Sequence, residues 1–180
     1  AKTSSTHRGV TLPGVQQLLA GQTSSATAWR PYINAEEQVT STGVGLGLAY
    51  QLPKGYSLYG NYTYSTFDVD NPSPGFEAGF NMPEHKFVVG LGNRKAFKNF
   101  GFDVNYRWQD EFDWENSFAF GTIPAFGLLN LQASYALPKL KTVVKLGGSN
   151  AFGNDYRTNA GGPYVGQMYY LSLTFDEFMK

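Results

Sequence analysis

The stretch Thr42-Gly43-Val44-Gly45-Leu46-Gly47-Leu48-Ala49-Tyr50-Gln51-Leu52 puts Val44, Leu46, Leu48, Tyr50 and Leu52 on one side of an extended chain. Gly43, Gly45, Gly47, Ala49 and Gln51 fall on the other. Successive strand side chains point to opposite faces, whereas a helix would scatter both sets around its circumference, so a period of two reads as β-strand. Working outward, the same alternation recurs. After a short Pro53-Lys54-Gly55 turn, Tyr56, Leu58, Tyr62 and Tyr64 alternate with Ser57, Tyr59, Asn61, Thr63 and Ser65. Phe87, Val89 and Leu91 alternate with Val88, Gly90, Gly92 and Arg94. Beyond Lys98-Asn99, Phe102, Val104, Tyr106 and Trp108 alternate with Asp103, Asn105, Arg107 and Gln109. Leu129, Leu131, Ala133, Tyr135 and Leu137 alternate with Asn130, Gln132, Ser134 and Ala136. A weaker strand runs from Thr142 to about Asn150. In the last, Tyr169, Leu171, Leu173 and Phe175 oppose Tyr170, Ser172 and Thr174. Seven strands are expected, with no helix beyond a turn or two at Gly14–Ala20.

The connections alternate between tight (53–55, 98–99, 138–140) and long (69–83, 113–124, 152–164). Outer-membrane barrels have short periplasmic turns, longer extracellular loops and strands apolar outside and polar inside. Strands of about ten residues match the 9–11 needed for a tilted crossing. A soluble sandwich or lipocalin-like barrel also alternates, but its wet face is rich in Lys, Glu and Thr. Here the polar face is Gly, Ser, Asn and Gln, as in a crowded lumen. The apolar face often ends in Tyr50, Tyr56, Trp108, Tyr135 or Tyr169, as an interfacial girdle would. The expected fold is therefore all-β: antiparallel up-and-down transmembrane β-barrel strands, about seven or eight of them.

Composition agrees. Of 180 residues, 16% are charged and 16% aromatic, with 21 Gly and no Cys. Soluble domains carry about 25% charge. Fourteen basic residues balance 14 acidic ones, so the basic surface typical of nucleic-acid binders is not expected. Without Cys there is no disulfide or thiolate metal site. No apolar run reaches the 18–20 or so residues of a membrane helix, and no leader is expected within these residues.

Parity bears on domain organisation. Seven strands running from an inward-directed 42–52 leave residue 38 outside, whereas an even-stranded barrel has both ends in the periplasm. Either residues 1–37 supply an eighth strand or the chain is part of a larger barrel. Residues 1–37 read as a loop or irregular segment, since Pro13 and Pro31 each remove a ladder donor. Ala26–Asn34 is the best extra strand there, and residues 38–178 form the barrel portion. A self-contained eight-stranded barrel (adhesin, anchor or small pore) is the alternative.

Several motifs resemble TonB-dependent receptors, the plugged outer-membrane transporters of Gram-negative bacteria. Asn150-Ala151-Phe152-Gly153-Asn154-Asp155-Tyr156 resembles the family's Asn-Leu-Phe-x-x-x-Tyr motif before the last strand. It is followed by Gly161-Gly162-Pro163 and then Tyr169-Tyr170-Leu171-Ser172-Leu173-Thr174-Phe175. Tyr32-Ile33-Asn34-Ala35-Glu36 with Ser41-Thr42-Gly43-Val44-Gly45-Leu46, and Asn81-Met82-Pro83-Glu84-His85-Lys86-Phe87, are similar to its lead-ins to late strands. The style is similar to receptors of the Bacteroidota. The resemblance covers roughly residues 32–178; Ala151 in place of Leu and the ending Phe178-Met179-Lys180 depart from it. It implies the C-terminal portion of a barrel of about 22 strands, forming part of the wall of a receptor that imports a scarce ligand. The implied partners are outer-membrane lipid, the plug and remaining strands, the barrel-assembly machinery and a surface lipoprotein.

Candidate site residues are few. Gly166, Tyr169 and Leu171, extended by Leu173 and Phe175, resemble the outer-membrane assembly signal, whose physical content is a strand edge open to pairing. Asn150, Phe152 and Tyr156 carry the family motif. Asp110, Glu111, Asp113, Trp114 and Glu115, interleaved with Phe112 and Phe118, could hold a cation or sugar beside aromatic faces; a solvated loop with interfacial aromatics is the favoured reading. Asp103, Arg107 and Lys145 are expected to pair with one another in the lumen. His7 and His85 lie far apart, and the Gly-x-Gly runs precede no helix. No cofactor, metal or catalytic group is expected, and no enzymatic activity.

Overall fold

In the computed structural model, residues 38–70, 79–115 and 119–175 are described. The extra strand at Ala26–Asn34, the turn at Gly14–Ala20 and the rest of the 1–37 segment lie outside them. Nine strands follow in chain order: β1 (Val39–Gln51), β2 (Tyr56–Val69), β3 (His85–Phe97), β4 (Phe100–Gln109), β5 (Phe112–Glu115), β6 (Phe120–Ile123), β7 (Phe126–Leu137), β8 (Thr142–Ser149) and β9 (Met168–Phe175). Seven form one sheet in the order β1-β2-β3-β4-β7-β8-β9, and β5 pairs only with β6. Every pairing is antiparallel. The seven strands read from the alternation are these seven. The connection at 113–124, expected as a loop, instead carries the β5–β6 hairpin. Its Phe112, Trp114, Phe120 and Ile123 are β-formers too few to show a period.

Register carries each strand's alternation across the sheet. Leu58, Leu91, Val104 and Leu131 stand side by side on one face, continuing to Leu146 and Leu171 two residues along. Asn61, Val88, Arg107 and Leu128 run across the other. Leu46, Leu48, Leu146, Leu171 and Leu173 are all more than half exposed. Among the described residues the buried apolar side chains are few: Pro83, Ile123, Leu128 and Ala160. A sheet that leaves its apolar face open buries it in lipid.

Each short connection is built for abrupt reversal. Pro53–Gly55 and Pro138–Leu140 make single 3-10 turns with proline in the first position, where fixed φ helps and the missing N–H is harmless. The β3–β4 turn follows a register shift between Asn93 and Phe97. Asn93 holds that bulge: its side-chain oxygen accepts from the Lys95 N–H (2.8 Å) and its amide donates to the Lys54 carbonyl (3.0 Å) in the adjacent turn. Opposite it, Gly101 leaves room for the Arg94 carbonyl, which a Cβ would strike.

Candidate functional site

Two places gather polar chemistry: the inner face of the wall and the cluster of long connections at one end.

On the inner face, two tyrosines lie across glycines of neighbouring strands. Tyr59 lies across Gly90 of the next strand, and its hydroxyl donates to both Asp103 carboxylate oxygens (2.9 and 3.2 Å). Tyr170 lies in the same way across Gly147 and donates to the Gln132 side-chain oxygen (3.0 Å). Glycine is required at both positions, because a Cβ would enter the ring. Between them a polar ladder joins three neighbouring strands, β4, β7 and β8. Asn105 donates to Asp103 (3.2 Å), Asn130 to Asn105 (2.8 Å), and Ser149 to Asn130 (3.0 Å). Beside it, a hollow of about 570 Å³ is lined by Ser57, Arg94, Asp103, Gln132, Ser134 and Lys145, among others. The ion pairing expected among Asp103, Arg107 and Lys145 is not formed. Asp103 is engaged by Tyr59 and Asn105, while Arg107 reaches Gln109 (3.4 Å) on its own strand.

At the other end of the strands the long connections interlock. Asn81 clasps β5: the Glu115 N–H donates to the Asn81 side-chain oxygen (2.8 Å) and the Asn81 amide to the Glu115 carbonyl (2.9 Å). Glu115 also accepts from the Gly79 N–H (3.1 Å). The Thr122 hydroxyl donates to Asp113 (2.9 Å), and Asp110 accepts the Glu111 N–H (2.9 Å). Thus Asp110, Asp113 and Glu115 are used within the loops. Among the described residues no three His, Cys, Asp or Glu side chains converge as a metal site would require. Trp114 packs into this region with its indole N–H buried and unbonded, as is the Nε of Arg157.

The motif residues have distinct fates. Asn150 is 1% exposed and sits at φ 52° where β8 ends. Its amide donates to the Asn154 carbonyl (2.7 Å), its side-chain oxygen accepts the Asn154 N–H (3.1 Å), and its own N–H reaches Asn130 (3.1 Å). It is the knot that turns the chain out of the wall and ties it to the inner ladder. Tyr156 packs on Phe126 with ring centroids 4.6 Å apart. Phe152 is 78% exposed and joins neither. Of the assembly-signal residues, Tyr169, Leu171, Leu173 and Phe175 share the outer face of β9, whose far edge has no partner among the described residues. Gly166 precedes the strand, in the loop. His85 begins β3, sharing a hydrogen bond with the Tyr62 hydroxyl (2.8 Å) and packing against Tyr64. Sequence reasoning missed the ring-over-glycine pairs and the Asn81 clasp. The first had a signal, since Tyr59 and Tyr170 are large rings on a face of Ser, Asn and Gly; the second had none.

A seven-stranded antiparallel wall with an open apolar face, a hydrogen-bonded polar face, short turns at one end and interlocked long loops at the other is a segment of an outer-membrane β-barrel. The family model "TonB dependent receptor-like, beta-barrel" matches residues 10–171, and the chain belongs to that family. It is a family of receptors and transporters, whose members carry a plug and a larger barrel. No curated protein matches the chain. Among solved structures it is similar to the pyoverdine outer membrane receptor FpvA from Pseudomonas aeruginosa. There identity is 14% and TM-score 0.66, over 97% of this chain and 25% of that one. It is also similar to the FrpB iron transporter from Neisseria meningitidis (16%, TM-score 0.61, 81% and 25%). The siderophore receptor PiuA from Acinetobacter baumannii is a third (15%, TM-score 0.60, 80% and 22%). The chain spans about a quarter of the length of these structures.

Proposed function

We propose that this chain is the wall-forming C-terminal segment of a TonB-dependent receptor that takes up a scarce ligand across the outer membrane, and that it has no enzymatic role. The observation carrying this reading is a seven-stranded sheet whose edge strands β1 and β9 have no outer partner among the described residues, aligned with a quarter of barrels whose printed names include siderophore and iron uptake. In this reading the inner ladder and the hollow beside Arg94, Asp103 and Lys145 face the plug, and the interlocked loops face outward. The open edge of β9 is the strand offered to the barrel-assembly machinery. A surface lipoprotein over the loops, and the Bacteroidota-like style, rest on the sequence motifs alone.

The test compares the chain with its parent. The parent protein should restore growth to a receptor-deficient strain on a limiting nutrient, and only when TonB is present. The chain expressed alone should aggregate through its two open edges. A heat-modifiable monomeric barrel formed by the chain alone would replace this reading with the self-contained barrel.

A further inference from the structure

The two ends of the wall differ in charge. Each short turn carries lysine and no acid: Lys54 in the first, Lys95 and Lys98 at the second, Lys139 and Lys141 in the third, all exposed. Neither 51–57, 92–102 nor 134–143 contains an Asp or Glu. None of the five forms an ion pair with a described residue. Asp176 and Glu177, which follow β9, lie outside those residues. The opposite end carries the acids, Asp110, Glu111, Asp113 and Glu115 among them.

Backbone geometry adds an independent observation. Each of the three turns has one lysine in the left-handed region: Lys54 at φ 61°, Lys98 at φ 37° and Lys141 at φ 48°. Gly or Asn occupies such positions with less strain, so turn geometry alone does not call for lysine. Charge at these points is what the residue choice adds.

Apolar groups set the depth of these cations. Phe97 and Phe100 flank Lys98 with ring centroids 6.5 Å apart, and Leu140, 65% exposed, lies between Lys139 and Lys141. Tyr50, Tyr56 and Tyr135 end the apolar face just above the turns. Exposed apolar residues alternating with lysine suit a lipid headgroup boundary, where the stem lies in hydrocarbon and the ammonium in the polar layer.

Resting on the membrane reading above, we infer that the short-turn rim is a cationic collar that binds anionic phospholipid headgroups of the periplasmic leaflet. The phosphodiester of phosphatidylglycerol supplies the complementary charge, and lysines spaced around three turns engage several lipids at once. Each basic residue close to an anionic surface strengthens attachment by about fivefold, and salt weakens it.

The experiment uses the intact parent protein in detergent, titrated with phosphatidylglycerol, phosphatidylcholine or lipopolysaccharide and read by native mass spectrometry. Phosphatidylglycerol should bind at least about tenfold more tightly than phosphatidylcholine, and the preference should shrink as salt rises. Replacing Lys54, Lys95, Lys98, Lys139 and Lys141 together by Gln should abolish the preference while the heat-modifiable gel shift stays. If that variant does not fold, Lys139→Gln with Lys141→Gln alone should reduce the preference. Equal binding of the two phospholipids, or a preference that survives these substitutions in a folded barrel, overturns the collar and leaves the barrel reading intact. Lipopolysaccharide held by the same lysines, with phosphatidylglycerol ignored, would also overturn it. A parent protein with no heat-modifiable shift would remove the membrane reading, and the collar with it.

Discussion

Replacing Gly90 by Ala tests the inner face at its tightest point. A Cβ there would fall within the Tyr59 ring, so the ring must lift. Lifting it breaks the bonds of 2.9 and 3.2 Å from its hydroxyl to Asp103. A hydrogen bond to a charged group contributes about 1.5–3 kcal/mol, and forcing a group into a packed site costs about 1–3 kcal/mol. Both groups are only half-buried, and water can replace part of the lost bond. The sum therefore falls at about 2–4 kcal/mol. Denaturant unfolding of the parent barrel in lipid vesicles, followed by fluorescence and the gel shift, measures it. The decisive arm is a double-mutant cycle. In a Tyr59→Ala background the ring is gone, and Gly90→Ala should cost less than about 1 kcal/mol. Tyr59→Phe, which keeps the ring and removes the hydroxyl, should lose only the hydrogen-bond part. Equal costs for Gly90→Ala in both backgrounds would refute the ring-over-glycine account.

Three further outcomes are expected. Asn150→Ala removes two side-chain hydrogen bonds and leaves a left-handed position to alanine. It should cost about 2–4 kcal/mol and speed proteolysis within 151–167, whereas Asn150→Gly should recover the backbone part only. Leu171→Lys puts a charge on the lipid face and should cost about 2–4 kcal/mol. Ser172→Lys, on the inner face one residue away, should cost less than about 1 kcal/mol in the same unfolding assay. Trp114→Phe deletes a buried indole N–H that bonds nothing, so stability should stay within about 0.5 kcal/mol or rise; a loss above 2 kcal/mol would mean that the N–H has a partner.

Most of the wall is legible in the sequence, because each strand writes its own two faces locally. Val44 to Leu52 and Tyr169 to Phe175 carry their period of two without help from neighbours, and Pro53, Asn99 and Pro138 mark the reversals. The ends of strands are less legible: β2 runs to Val69 and β7 begins at Phe126, beyond where hydropathy alternates, because ladder hydrogen bonds continue after the membrane requirement stops. The β5–β6 hairpin and its clasp by Asn81 depend on residues 34 apart, a separation that no local pattern encodes. The acidic cluster at Asp110–Glu115 looked like one chemical unit because its members are adjacent in sequence. Folding turned their carboxylates to different neighbours.

The sequence by itself determined that this chain is a strand-built membrane wall, which face meets lipid, and which end bears the long loops. Those properties follow from side-chain alternation and turn chemistry, both set within a few residues. Only the tertiary structure decided which side chains meet across strands: Tyr59 on Asp103 instead of Arg107 on Asp103, Asn150 tied to Asn130, and Asn93 of the second turn bonded to Lys54 of the first. Register fixes these meetings, and a shift of one residue would reverse every face, so they belong to the pairing of whole strands and to no single segment.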